Sequence, residues 1–508
     1  MQRLTTLSVV QSAHRQITIL FESYFEWFYF YDGHSVQLKR GELEINIFHG
    51  NLILSCWTEK GTRSWRVRSW CWTGDRLVLE ASRRMGAERP LIELIPRASA
   101  VSIAATVMAA REARCQQLAQ LACHMLPLAK LERAGLSRGV RPGQPGRYAR
   151  IILRQGHRRV AVTASVSTHQ AGDADAFLSS ALLWFAGASD RSNGPYLERL
   201  VLVVQGELLR AVLARLPFLR QAIREAICVW KIDASWSELE AERVPERNEL
   251  WRKRLPRFPP HYAQATSQSA KEIIALAPEA IDSVHSKKGE TLRYFGLPFA
   301  RVRQLLGRER IWFGLDYPTR KLLENKTLSE WSSLLEELRE HRKADADRRH
   351  ALYRNASEAW LEALLRRDIS KLDPGMVVAP IYAQFRTAMG GRSGVRPIDL
   401  LALRQDGRLV VIELKAFEDR EHVFQGVGYW QRVEAHRRRG HLASANLFDS
   451  RTINDEPPLV YLVAPTLRVH PAFQKLASFV ARDIEIYRFD ISEDWRSGVR
   501  VMRRLRVN

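Results

Sequence analysis

The sequence predicts a multidomain chain of mixed α/β and α+β character. An N-terminal antiparallel β domain comes first, then a middle α/β domain, then a C-terminal α/β core. Three observations predict it. At 508 residues the chain is too long for one ordinary core. Residues 24–96 alternate apolar and polar side chains at the period of two expected of strands. From residue 147 onward, strand-like runs alternate with helical spacing, the pattern of α/β units. The expected divisions are 1–98, 99–146, 147–235, 236–345 and 346–508. A hydrophobic share of 46%, broken by Gly/Pro turns and not by low-complexity tracts, suits a chain folded throughout.

In the first division the alternation is clearest at 42–48, 51–58, 64–72 and 76–81, with His49-Gly50 and Thr73-Gly74 as turns. Trp57, Trp65, Trp70 and Trp72 fall in these runs, where aromatic residues serve a core more often than a base-stacking platform. Spacing becomes helical over 98–131, and the Pro/Gly-rich 138–146 stretch reads as a linker. The third division offers strands at 148–154, 159–164, 199–205 and 227–232, with helices at 173–185 and 208–226. It holds no constellation of acids. The fourth reads as a helical connector, with an amphipathic helix at 328–342.

A formal net charge of +22 creates a field that attracts polyanions, of which nucleic acid is the commonest. Cys56, Cys71, Cys115, Cys123 and Cys228 form no Cys-x-x-Cys pair, so neither a disulfide frame nor a zinc site is expected. No signal-peptide centre or bilayer-length apolar run is present, which suits a reducing cytoplasm and no membrane. His-Glu-x-x-His, Gly-x-Ser-x-Gly and P-loop signatures are missing as well.

The chemistry lies in the last division. A helix at 356–367 and an extended segment at 377–386 lead to two strands, 397–404 and 409–416, joined around Gln405-Asp406-Gly407. Register decides what this hairpin can do. A two-residue turn would set Asp399 against Leu414 and aim it away from Glu413 and Lys415. A three-residue turn ending in left-handed Gly407 pairs Arg404 with Arg408, and so Asp399 with Glu413. The paired carboxylates then stand about 5 Å apart at Cβ, close enough to share a hard cation. Lys415, two residues on, projects to the same side. Ile398, Leu400, Val410, Ile412 and Leu414 make both strands interior ones, where such charges either bind metal or form a structural ion pair.

The stretch RPIDLLALRQDGRLVVIELKA resembles the core of the PD-(D/E)xK nuclease superfamily. The resemblance implies a restriction-endonuclease-like fold in which Asp399 and Glu413 ligate Mg²⁺ (or Mn²⁺), while Lys415 orients water and stabilises charge on phosphate. Gln425 and Tyr429, four residues apart on the following helix, are similar to the Gln-x-x-x-Tyr motif of RecB-like nucleases. LEALLRRDISKLDPGM resembles the helix that brings a further glutamate to the metal in NucS-type endonucleases. Glu362 is the preferred candidate there, since Asn355 and Glu358 fit a capping box; Glu358 is the less favoured alternative. The likeness covers residues 353–489 and includes the buried strand of PLVYLVAPTL. Pro397-Ile398-Asp399 departs from the literal Pro-Asp. The middle division's strand order resembles a nuclease core without its catalytic residues.

Arg386, Arg392 and Arg396, approaching Asp399, and Arg437, Arg438 and Arg439, closing the next helix, are candidate phosphate contacts. The expected activity is metal-dependent endonucleolytic hydrolysis of DNA phosphodiesters, with RNA as a weaker substrate reading. The alternative is a nucleic-acid-binding subunit that keeps the fold without turnover, among the proteins of a defence or mobile-element complex.

Overall fold

The computed structural model describes the chain except residues 32–33, 59–60, 83–89, 140–144, 168–172, 191–195, 259–264, 287–288, 306, 316–319, 386–396 and 450. Four sheets carry the architecture. In the N-terminal unit a helix, Leu7–Ser23, buries Val10, Ala13, Ile17 and Phe21 along one stripe against an eight-stranded antiparallel sheet. The core reading of the tryptophans holds for Trp65 and Trp70; Trp72 packs at the core's edge and Trp57 is exposed.

The middle sheet runs, from edge to edge, Lys130–Arg138, Pro145–Gln155, Arg158–Ser165, Tyr196–Gln205, Ile227–Ile232 and Leu239–Glu242. Helix Arg97–Met125 covers one face through Cys115, Leu118, Ala119 and Ala122. The helix expected to reach residue 131 therefore stops at Met125, and Lys130–Arg138 pairs with Pro145–Gln155 as an edge strand. The expected 208–226 helix is also divided. Pro217, which has no N–H to continue the ladder, sits in a 3₁₀ turn at Leu216–Phe218 between Gly206–Arg215 and Gln221–Glu225.

Residues 236–345 are not the helical connector expected from the sequence. They contain a five-stranded antiparallel sheet spanning Ile281–Leu322, packed on helices Gln268–Ala275 and Leu328–His341. Arg293 and Glu290 interrupt the apolar alternation yet are buried, because each finds an ionic or hydrogen-bonding partner. The Phe295-Gly296 turn between two of these strands presses on the helix Ser357–Arg367. A Cβ at Gly296 would stand 1.9 Å from the Ala359 carbonyl oxygen, and its φ of +77° suits glycine. Helix Leu328–His341 forms as expected.

The C-terminal sheet runs Tyr382–Phe385, Ile398–Leu403, Leu409–Leu414, Leu459–Pro465, Ile486–Ile491 and Val501–Arg506. Every residue of Leu409–Leu414 and Leu459–Pro465 is buried, as expected of central strands covered on both faces. Ser357–Arg367 packs on one face; His422–Arg437 and Phe473–Phe479 pack on the other. The sense of pairing across this sheet is antiparallel, antiparallel, parallel, parallel, antiparallel, and the middle sheet repeats it in the same order.

The two sheets share one apolar core built from Phe177, Leu178 and Val212 on one side and Phe424, Val427 and Leu476 on the other. A short antiparallel bridge at Leu219 and Val480 joins them, with Ala481 N donating to Phe218 O at 2.9 Å and Arg220 N to Phe479 O at 2.8 Å. Among the described residues no helix is long and apolar enough to cross a membrane. All five cysteines are free.

Candidate carboxylate and lysine site

The hairpin turn settles the register. Arg404 N donates to Arg408 O at 2.9 Å and Gly407 N to Arg404 O at 3.0 Å, with Gly407 at φ +83°. This is the three-residue turn. The ladder pairs Leu403 with Leu409 and Leu400 with Ile412, so the next place sets Asp399 beside Glu413. Asp399 Oδ2 accepts a hydrogen bond from the Leu414 backbone N–H at 2.9 Å. Lys415 Nζ stands 2.9 Å from Glu413 Oε1 and 3.2 Å from Asp419 Oδ2.

Crowding these groups inside protein perturbs each of them. Burial, reinforced by the Glu413 charge, pushes the Asp399 carboxyl well above the usual carboxylate range. Burial also raises Glu413, against the pull of Lys415. For Lys415 burial alone would release the proton, but Glu413, Glu358, Asp419 and Asp399 outweigh it and hold the ammonium charged. Burial would raise Asp419, and Lys415 instead keeps it low. His422, fully enclosed and beside Lys415, is lowered to about 3 and is neutral; its Nε2 lies 3.2 Å from the Glu413 carbonyl oxygen.

Glu413 Oε2 is buried without a hydrogen-bond partner among the described residues. Among the described residues no group of three or more His, Cys, Asp or Glu side chains is arranged to hold a metal ion. The side-chain donors brought together are thus Asp399 and Glu413, with Glu358 acting on both through its charge.

That last observation reverses the expected preference on the helix Ser357–Arg367. Glu362 is turned away from the hairpin and buried against Arg293, whose Nη1 donates to Glu362 Oε1 at 2.9 Å. Arg293 also holds Asp282 at 2.7 Å, so Glu362 ties this helix to the five-stranded sheet. The capping box that favoured Glu362 does not form. The helix starts from Ala356 in the left-handed region with no side-chain cap, while the Asn355 carbonyl accepts from Arg342. Glu358 is consequently free of a capping task and exposed beside the site.

Gln425 and Tyr429 are both buried on the helix that covers the carboxylates. Gln425 donates to Glu421 at 3.4 Å, and its Oε1 has no partner. Burial and then the charges of Glu413 and Asp399 raise the Tyr429 phenol, so it remains protonated.

Arg437, Arg438 and Arg439 do not present themselves to phosphate as expected. Arg437 and Arg438 both clamp the fully buried Glu434, at 2.7 and 2.6 Å, and Arg439 donates to the carbonyls of Trp251 and Lys253. A buried carboxylate one turn earlier claims two of them, and backbone carbonyls from a distant segment claim the third. Arg386, Arg392 and Arg396 lie outside the described residues.

The sequence reading missed Asp419 and His422 as neighbours of Lys415. The spacing of Lys415 to Asp419 was the available signal, although only the turn into the next helix brings the pair together. No known family model, no curated protein and no solved structure matches the chain.

Proposed function

We propose that the chain is a Mg²⁺- or Mn²⁺-dependent endonuclease that hydrolyses DNA phosphodiesters, with a C-terminal unit of PD-(D/E)xK type. The observation that carries this reading is Asp399 set beside Glu413 by the register, with one Glu413 oxygen buried and unpartnered among the described residues next to a charged lysine. Two like carboxylates enclosed together oppose each other's ionisation, and a divalent cation relieves both that repulsion and the unsatisfied oxygen. Asp399 and Glu413 would hold the ion, with water filling the remaining positions and the Glu358 charge acting on both carboxylates. When bound, such an ion lowers the pKa of water and offsets charge on the phosphoryl oxygens.

The chain's own groups supply the rest. Lys415 keeps its proton, so its task is to hydrogen-bond the attacking oxygen and stabilise the charge gathering on phosphate, not to take a proton. Tyr429, also protonated, offers a second donor facing the carboxylates. Cleavage of supercoiled plasmid DNA tests the proposal. The wild type cuts in Mg²⁺ or Mn²⁺ and not in chelator, and Lys415→Ala and Asp399→Asn each lose about 100-fold or more. Wild-type inactivity, or full activity in both variants, overturns it.

The count of two metal-ready carboxylates, with no group of three among the described residues, favours a second reading. The chain would then bind nucleic acid without turnover. Salt-sensitive DNA binding without cleavage, indifferent to Asp399→Asn, distinguishes that outcome.

A further inference from the structure

The middle and C-terminal sheets correspond strand for strand, and their registers allow residues to be matched. The inner parallel ladder of the middle sheet runs from Leu200↔Ile227 to Gln205↔Ile232; that of the C-terminal sheet runs from Val460↔Ile486 to Pro465↔Ile491. The ladders have equal length. Each also begins with the same extra bond, Leu200 N to Ala226 O at 2.8 Å and Val460 N to Glu485 O at 3.0 Å. Leu202 and Leu462 are therefore counterparts, and on their other side they pair with Thr163 and Glu413. Thr163 in turn pairs with Arg150, as Glu413 stands beside Asp399. The places of Asp399, Glu413 and Lys415 are taken in the middle unit by Arg150, Thr163 and Ser165.

The substitution reverses the local charge. Arg150 feels Arg138 and Arg420, Arg111 feels Arg147, and Tyr148 feels both Arg147 and Arg420. Arg138 and Arg420 thus act on Arg150, and Arg147 and Arg420 on its neighbour Tyr148. Glu421 is the carboxylate whose charge also reaches Tyr148 there. Among the described residues Arg111 Nε and Arg420 Nε are buried without hydrogen-bond partners, and the guanidinium of Arg150 lies 5.7 Å from the ring of Trp184. Thr163 Oγ1 is turned back onto the Ala149 carbonyl at 2.7 Å, leaving no anionic ligand for a cation. Clustered arginines, two of them with idle buried donors, fit a polyanion whose oxygens come in pairs, and a phosphodiester backbone is such a ligand.

We infer that the middle unit's counterpart of the carboxylate site binds the phosphodiester backbone of duplex DNA without hydrolysing it. The choice of DNA rests on the proposed function, but the test is one of binding and does not depend on cleavage.

Fluorescence anisotropy of a labelled DNA duplex, titrated with the full chain in chelator at several salt concentrations, reads the site directly. Arg150→Ala with Arg420→Ala is expected to weaken binding at least tenfold and to lower the slope of log affinity against log salt by about two. The matching pair of lysine replacements keeps the slope. Unchanged affinity and slope in the alanine pair, with thermal melting intact, overturn the inference, as does a wild type that does not bind duplex DNA. Should the alanine pair fail to fold, the exposed Arg138→Ala serves instead. It lowers the slope by about one if the site is as inferred, and an unchanged slope overturns it. A chain that binds in this manner but never cuts refutes the nuclease reading and leaves the arginine site standing.

Discussion

Lys415 is the residue whose chemistry the surroundings define most sharply. A lysine enclosed among apolar strands would shed its proton, and this one keeps it because four carboxylates act on it. Its role in phosphodiester hydrolysis, on the proposed reading, is therefore that of a fixed cation. His436 illustrates the opposite outcome near the end of the helix His422–Arg437. It is enclosed, with Nε2 unpartnered and Nδ1 3.0 Å from His441 Nδ1; burial, then His441, Arg439 and Arg432, lower it to about 4. An unfolded histidine titrates near 6.5. Between those values the unfolded chain binds the extra proton, so stability is complete above about pH 6.5 and falls as the pH drops toward about 4. Melting temperatures across that window should decline less steeply in His436→Gln than in the wild type. Equal slopes would remove His436 from the account.

At the scale of elements, the helix Ser357–Arg367 serves two sheets at once. Its first turn points Glu358 at the hairpin carboxylates, and its second buries Glu362 on Arg293. Glu362→Gln is expected to cost about 1–3 kcal/mol, because Arg293 keeps Asp282 but loses its second charged partner. Glu358→Gln should leave the unfolding midpoint within about 0.5 kcal/mol of wild type and reduce Mg²⁺-dependent cleavage. Chemical denaturation and plasmid cleavage separate the two, and the reverse pattern would restore Glu362 to the site. The hairpin was legible in the sequence because its register depends on a local turn, and Gly407 declares that turn. The division of labour between Glu358 and Glu362 was not. They share one stripe, and what separates them is Arg293, which arrives from a strand distant in sequence. The five-stranded sheet was hidden for a related reason. Its buried Arg293 and Glu290 look like surface residues until their partners are known. Likewise the arginines after Val433 read as a phosphate grip because the fully buried Glu434 that claims two of them looks, in sequence, like an ordinary exposed acid.

At the scale of the molecule, two sheets of matching order meet through their helices, and only the C-terminal one places carboxylates at the matched strand positions. The strands of a DNA duplex run antiparallel, so a pair of related units can face one strand each. On the proposed reading, a pair with one hydrolytic member should open one strand. Supercoiled plasmid is accordingly expected to accumulate as open circles, with linear product appearing only after them. Direct conversion to linear DNA, without an open-circle intermediate, would show that the asymmetry of the two sheets does not govern the product.

The bridge at Leu219 and Val480 has a kinetic consequence. Units paired within one chain see each other at a local concentration that dilution cannot lower. Rates that need both units should then scale in simple proportion to enzyme down to the lowest usable concentration. A nuclease that recruits its second unit from another chain instead loses specific activity once it is diluted below its dissociation constant.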